Sequence, residues 1–226
     1  MNLLMEMSGS RFGRGLLVPG GVRFGVPAAW VRELGARLDS IERDLRATAE
    51  LTFDSPSVLS RFEQTGIVTA ASVVDLGLVG PVARASGCAR DVRHDHPTGI
   101  YRFAHVPMAL AHSGDVLARA LVRWIEVQRS LTFVRDRVTA LPSGPLAEAP
   151  PPSRPWSVAL SMVEGWRGEI AHLAVTGEAG GLLAYKVVDP SFHNWLGLAI
   201  AMRGNQVSDF PLCNKSFNLS YAGHDL

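Results

Sequence analysis

The stretch Leu141–Pro155, LPSGPLAEAPPPSRP, constrains this chain more than any other. Proline fixes φ and carries no N–H, so six prolines in fifteen residues rule out both an uninterrupted helix and a ladder of strand hydrogen bonds. The segment reads as a surface linker over residues 142–156. Hydrophobic periodicity changes across it. Upstream, Val31, Leu34, Leu38, Ile41 and Leu45 recur at helical spacing after Pro27, with Arg32, Glu33, Arg37, Glu42, Arg43 and Asp44 on the other face. Ser55–Gln64, capped by Ser55, and Thr69–Leu76 read as shorter helices. Ser113–Leu141 reads as the longest helix. Its seam is Leu117, Leu121, Trp124, Leu131 and Val138, widened by Val116, Ala120, Val127 and Val134, and Pro142 ends it. Arg119, Arg123, Arg129, Arg135 and Arg137 then fall on its solvated side.

Downstream the pattern is that of strands. Ser157–Val163 and Ile170–Thr176 flank a turn at Glu164–Gly168, and Leu182–Val188 follows Gly180-Gly181. Asp189-Pro190 then leads into a helix over about Phe192–Arg203, stopped by Gly204-Asn205. At the other end, Pro19-Gly20-Gly21 forces a chain reversal. The expected fold is mainly α (α+β): one domain over 1–226, a helical bundle with a small antiparallel sheet at 157–188 before the C-terminal helix.

Composition narrows the function classes. A net charge of +1 supplies no basic footprint for nucleic acid and no polybasic arm for a membrane. Cys88 and Cys213 lie too far apart for a zinc ribbon or a disulfide framework and suit a reducing compartment. Gly66–Ala85 is apolar, but Asp75, Gly77, Gly80 and Pro81 break it as a membrane span. The opening MNLLMEMSGS lacks a basic segment ahead of its apolar run, so it does not read as a signal peptide.

Three groups of residues carry chemistry. His94-Asp95-His96, on an extended segment, would present two imidazoles to one face as a zinc pair, or is simply a polar loop. Gly80–Arg93, GPVARASGCARDVR, sets Arg84, Arg90, Asp91 and Arg93 among small residues, where buried charges need partners. The tail from Asp189 to Leu226 crowds two histidines, a cysteine and several asparagines into a segment that is either a packed closure or the remnant of a metal site. A nucleophile built from Cys213 with His172 or His193 and Asp189 is a further arrangement, without a nucleophile elbow to support it.

Several of these segments together resemble a known family. PGGV within Met7–Val22, GPVARASG and DVR within Gly80–Arg93, EGWRGE at Glu164–Glu169, YKVVDPSFHN at Tyr185–Asn194 and the ending DFPLCNKSFNLSY occur in register. They are similar to the large subunit of nickel–iron hydrogenases and to its relative, the 49 kDa-type subunit of respiratory complex I. The ending looks nearest to the membrane-bound, formate hydrogenlyase-like (group 4) large subunits. Family members are about twice as long, so the resemblance implies the C-terminal half of such a subunit.

The resemblance implies a component of a membrane-associated redox complex of the NADH:quinone oxidoreductase or formate hydrogenlyase type. It would lie on the cytoplasmic, inner face of the membrane. The implied partners are an iron–sulfur small subunit, the missing N-terminal half or its equivalent, and membrane subunits indirectly, with no nucleic acid. The chain itself would hold no cofactor. The cluster would sit in the partner, and NAD and quinone would be the electron-transfer partners of the whole. The resemblance also places Ser220 and Gly223 where the hydrogenases carry their second pair of nickel-binding cysteines. A hydroxyl and a glycine supply no thiolate, so no nickel site is expected. Gly13 stands where complex I relatives carry a histidine facing a neighbouring cluster. Arg11, Arg84 and Arg167 fall on family motif positions, either as buried ion pairs with groups such as Asp91 and Glu169 or lining a cavity beside the partner's cluster. His224 is the residual functional candidate in the tail. A structural or assembly role without catalysis is the other function class.

Overall fold

The computed structural model of the chain describes residues 2–226. A short helix α1 (Asn2–Ser8) precedes a hairpin of β1 (Leu17–Val18) and β2 (Gly21–Val22), turned by Pro19-Gly20. The helices α2 (Ala28–Phe53), α3 (Pro56–Phe62), α4 (Ala70–Leu76), α5 (Gly80–Ala85), α6 (Val92–Asp95) and α7 (Val116–Val138) follow. Then come the strands β3 (Val158–Gly165), β4 (Gly168–Thr176) and β5 (Leu182–Val188), and the helices α8 (Pro190–Ala201), α9 (Phe210–Phe217) and α10 (Tyr221–His224). The three strands form one antiparallel sheet in chain order, so α+β with a helical bundle is the fold found.

Pro-rich residues 142–156 are irregular and exposed. They lie along the β1–β2 hairpin, where Val22 N–H donates to Leu146 O (2.9 Å) and Glu148 N–H donates to Gly20 O (3.1 Å).

Five expectations are corrected. The longest helix is α2, with 26 residues against 23 for α7. The start of α7 is set by Asp115, whose Oδ1 accepts from Ala118 N–H at 2.8 Å, and not by Ser113. Its most deeply buried residues are Val116, Ala118, Arg119 and Val122, while the expected seam of Leu117, Leu121, Trp124, Leu131 and Val138 is half-buried. The helix packs most extensively on the short helix α5, whose small residues let it approach. Ser55 stands at the N-cap of α3, but its side chain makes no capping bond; its Oγ meets Ser57 Oγ at 3.1 Å instead. The sheet also precedes three helices, not one, because the tail folds back as α9 and α10.

The main core gathers Val68, Leu78, Val82, Val116, Leu198 and Phe217 from six parts of the chain. Asn194, fully buried on α8, bonds both backbone groups of Val79, donating to Val79 O (3.1 Å) and accepting from Val79 N–H (3.0 Å). It thereby ties α8 to the start of α5, since neither backbone group could reach water there.

Candidate functional site: a buried arginine–carboxylate cluster

All six residues of α5 are buried, and Arg84 is among them, with 1% of its side chain exposed. A guanidinium at that depth is stable only with its donors engaged and its charge compensated. Arg84 Nη1 donates to Arg90 O (2.8 Å) and to Glu164 Oε1 (2.9 Å), and its Nε lies 2.9 Å from Glu126 Oε1. Asp91 Oδ2 is 3.6 Å away. Asp91 caps α6 by accepting from Arg93 N–H (2.9 Å) and takes the Arg93 guanidinium on both of its oxygens. Glu164 Oε2 accepts from Val92 N–H (3.2 Å). Three carboxylates and two guanidiniums from α5, α6, α7 and β3 thus close around one another.

Burial acts on Asp91 and Glu164 with opposite net results. For Asp91, burial pushes the carboxyl up, but the bond from Arg93 and the charges of Arg84 and Arg93 outweigh it and hold the group below its usual range. For Glu164, burial dominates over Arg84 and the carboxyl stays above its usual range. Asp91 therefore contributes stability that is complete above its unfolded value of about 3.9 and is lost as pH falls through its lower folded value. Glu164 works the other way. Its contribution is present below its unfolded value of about 4.3 and is lost as pH rises through the raised folded value. At pH 7, Asp91→Asn should cost more stability than Glu164→Gln, and the difference should shrink as pH is lowered towards 4. Urea titrations of the two variants across that range check it.

A second layer of guanidiniums lies beside the first. Arg119, fully buried on α7, donates to Gly114 O (2.7 Å), Gly66 O (3.0 Å) and Ser216 Oγ (2.8 Å), with its charge 4.6 Å from the centre of the Phe217 ring. Burial pulls its pKa down to about 10, so it remains a cation near neutrality. Arg123 donates to Ser216 O (2.6 Å) and Phe217 O (3.0 Å), and burial likewise lowers it to about 10. Arg167, at the tip of the β3–β4 hairpin, donates through Nε to Asn218 O. Arg123 and Arg167 together satisfy carbonyls at the C-terminal end of α9, where the helix dipole favours positive charge. Beside the first layer, a cleft of about 430 Å³ opens between α2, α7 and the hairpin, with Arg93, Tyr101, Glu126, Glu164 and Trp166 among its lining.

Of the residues singled out from the sequence, Arg84 and Arg167 are brought into these layers. Arg84 does contact Asp91, but Arg167 binds a backbone carbonyl, and Glu169 pairs with Arg90 instead (3.6 Å). Arg11 is exposed on the N-terminal loop against Phe12, outside the cluster. His224 is exposed and stacks on Phe192, with ring centres 5.7 Å apart. His94-Asp95-His96 is not extended. Residues 92–95 form α6, and His94 Nε2 is 2.7 Å from Val106 O, so the two imidazoles do not share a face as a zinc pair would require. Cys213 is packed in the core beside Arg119, where burial pushes its thiol up, and among the described residues no hydrogen bond joins it to a histidine. His172 instead bonds Tyr185 on the sheet (2.6 Å).

The cluster members not singled out from the sequence are Arg119, Arg123, Glu126 and Glu164. Asp115, Arg119, Arg123 and Glu126 fall at offsets of four, four and three on α7, which puts them on one stripe. Of that stripe, Arg119 and Arg123 read from the sequence as solvated charges.

A profile described as the respiratory-chain NADH dehydrogenase, 49 Kd subunit, matches residues 1–157. The chain belongs to this subunit family. Among curated relatives, it is 34% identical over 211 residues to the carbon monoxide-induced hydrogenase of Rhodospirillum rubrum, covering 93% of this chain and 58% of that protein. It is 29% identical to formate hydrogenlyase subunit 5 of Escherichia coli, over 100% of this chain and 40% of that one. With NADH-quinone oxidoreductase subunit 4 of Thermus thermophilus the identity is 29%, over 92% and 58%. The chain therefore spans between two fifths and three fifths of the length of these relatives. The fold is that of a chain in the membrane-bound sulfane sulfur reductase, an archaeal respiratory membrane complex. The TM-score is 0.92 at 24% identity, over 100% of this chain and 63% of that one.

Within the family fold, the tail does not fit a nickel–iron centre. Ser220 Oγ caps α10 by accepting from Gly223 N–H (2.9 Å), and Ser220 N–H donates to Ser191 Oγ (2.9 Å). Gly223 is buried, and a Cβ built on it would lie 2.6 Å from Cγ of Asp189. These two positions supply one committed hydroxyl and one close-packed backbone, with no soft ligand. Among the described residues, no helix is long and apolar enough to cross a membrane.

Proposed function

We propose that this chain is a non-nickel, hydrogenase-like large-subunit component of a membrane-associated redox complex that passes electrons from an NAD-linked or formate-type donor towards a quinone or another acceptor. In this reading it carries no cofactor. An iron–sulfur small subunit brings the electrons, and the chain shapes the protein wall beside that cluster while lying peripherally on the inner face of the membrane. The observation that carries the reading is a buried arginine–carboxylate framework in a member of the family whose Ser220 and Gly223 offer no thiolate. A framework of this kind rigidifies the surface that a partner cluster would approach.

The alternative is a structural or assembly role with no part in turnover. It is favoured by Arg119, whose Nε, Nη1 and Nη2 all donate within the chain, and by Arg93, held on both oxygens of Asp91, which leaves few of their donors for a substrate. Affinity isolation of the tagged chain from solubilised membranes tests the proposal: an iron–sulfur subunit should co-purify. A chain that is recovered alone from the soluble fraction would sink it. Gene deletion separates the two roles, because loss of turnover in an intact complex favours the first and loss of the complex itself favours the second.

A further inference from the structure

The ion pairs around Arg84 do not balance. Asp91, Glu126, Glu164 and Glu169 pair with Arg84, Arg90 and Arg93, four carboxylates against three guanidiniums. Arg123 and Arg167 stand nearby but donate to carbonyls at the end of α9, and among the described residues they pair with none of the four. On α6, His94 is engaged with Val106 O, and Asp95 accepts from Asp91 N–H. A buried excess of one negative charge is relieved by holding one proton. Position selects Glu164 as its holder. Asp91 takes two bonds from Arg93, Glu126 has Arg84 Nε, and Glu169 has Arg90. Glu164 shares Arg84 with Asp91 and Glu126, and only 5% of its side chain is exposed. It also stands directly opposite Glu169 across the hairpin, where like charges repel. Burial, which holds the Glu164 carboxyl above its usual range, acts in the same direction.

The same hairpin grips the tail. Glu164 accepts from Arg84 Nη1 (2.9 Å) and Val92 N–H (3.2 Å) on one side of the tight turn at Trp166-Arg167. On the other side, Arg167 Nε donates to Asn218 O, at the left-handed end of α9. The tip between them rests backbone to backbone on α5, where a Cβ built on Gly168 would lie 3.0 Å from Gly80 Cα. The cleft of about 430 Å³ lined by Glu164, Gly165 and Trp166 gives the tip a side on which to move, and Tyr101 lies on its lining. We propose that the β3–β4 hairpin is a proton-operated latch on the C-terminal turn. With its proton, Glu164 keeps the tip seated on α5. When the proton passes to water in the cleft, the carboxylate swings out and carries Arg167 off Asn218 O. That frees the turn from Asn218 to Gly223, whose Ser220 and Gly223 amides are otherwise held by Ser191 Oγ and Ser220 Oγ. A group that binds its proton more tightly with the latch closed favours opening as pH rises.

Hydrogen exchange of the full chain, read by mass spectrometry from about pH 5 to about pH 9, follows the hairpin, the tail and α2 separately. Each measurement is compared at the same pH with Glu164→Gln, which keeps the neutral shape, so the intrinsic pH dependence of exchange cancels. At the acid end the two proteins should match. As pH rises, the unmodified chain should lose protection in the hairpin tip and at residues 218–223 relative to the variant. The loss should approach about tenfold per pH unit, the limit for one proton, while α2 stays equally protected in both. Arg167→Met should keep the pH response of the hairpin and abolish that of the tail. Tail protection that follows Glu164→Gln at every pH would overturn the inference. So would a loss shared by α2, which is unfolding of the whole chain, or a tail response that persists in Arg167→Met. If Glu164→Gln does not fold, the tail compared with α2 inside the unmodified chain carries the same test, because both share the intrinsic dependence.

Discussion

Arg84→Met should lower the unfolding free energy by about 3–5 kcal/mol, the range found when one partner of a buried charge cluster is removed. The side chain of Met fills much of the aliphatic volume of Arg, so the loss is electrostatic more than steric. What remains is Glu164 with 5% of its side chain exposed, Asp91 with none, and Glu126 with 15%. Of these, Asp91 keeps Arg93, but Glu164 keeps only the Val92 N–H. Either Glu164, already pushed up by burial, is held protonated or the hairpin lifts to let water in, and both destabilise the fold. Urea unfolding measures the cost, and at this chain length it corresponds to a fall in Tm of roughly 10 °C. Adding Glu164→Gln should recover part of the loss, because it removes the carboxylate with the poorest remaining compensation. A cost below about 1 kcal/mol, with no recovery in the double variant, would mean that the cluster is hydrated and contributes as surface ion pairs do.

The fold was legible where local chemistry decides it. The three strands follow from alternation and bounding glycines, and β3, β4 and β5 lie within two residues of their expected bounds. The expected turn over Glu164–Gly168 tightens to Trp166-Arg167 because the ladder runs on to Gly165 and Gly168. The start of α8 at Asp189-Pro190 and the stop of the helical half before Pro142 follow from the stereochemistry of proline. The site was legible only in part. Arg84 and Asp91 stand among small residues, so their burial announces itself. Arg119 and Arg123 do not, because an arginine on an amphipathic helix reads as solvated until tertiary packing brings Gly66, Ser216 and Phe217 to it from distant parts of the chain. The sequence shows only one helix after the sheet for a related reason. Phe217 and Cys213 mark α9 as buried, but its 8 residues show too few turns for a periodicity. Its end is fixed by Asn218 in a left-handed conformation (φ 56°), held by Arg167 from the sheet.

Gly80→Ala should have the second large effect, and its size separates two physical causes. Gly80 sits at φ +69°, and a Cβ there would lie 2.3 Å from Arg167 O and 2.4 Å from Gly168 Cα. Helix α5 and the hairpin tip therefore meet backbone to backbone, and this contact sets the reach of Glu164 to Arg84 and of Arg167 to Asn218. A methyl group must displace the hairpin, adding about 1–3 kcal/mol of overpacking to about 1 kcal/mol of backbone strain. Gly77 supplies the control. It has nearly the same conformation, φ +64°, with nothing among the described residues within 4 Å of a built Cβ, so Gly77→Ala should show the strain alone. Gly80→Ala should therefore cost about 2–4 kcal/mol and Gly77→Ala about 1 kcal/mol. Trp166, at the displaced tip and 5.7 Å from the Arg123 guanidinium, should change its fluorescence only in the first variant. Equal losses in the two variants would show that the hairpin is not seated on α5, and the arginine layers would then have to be held by the side chains alone.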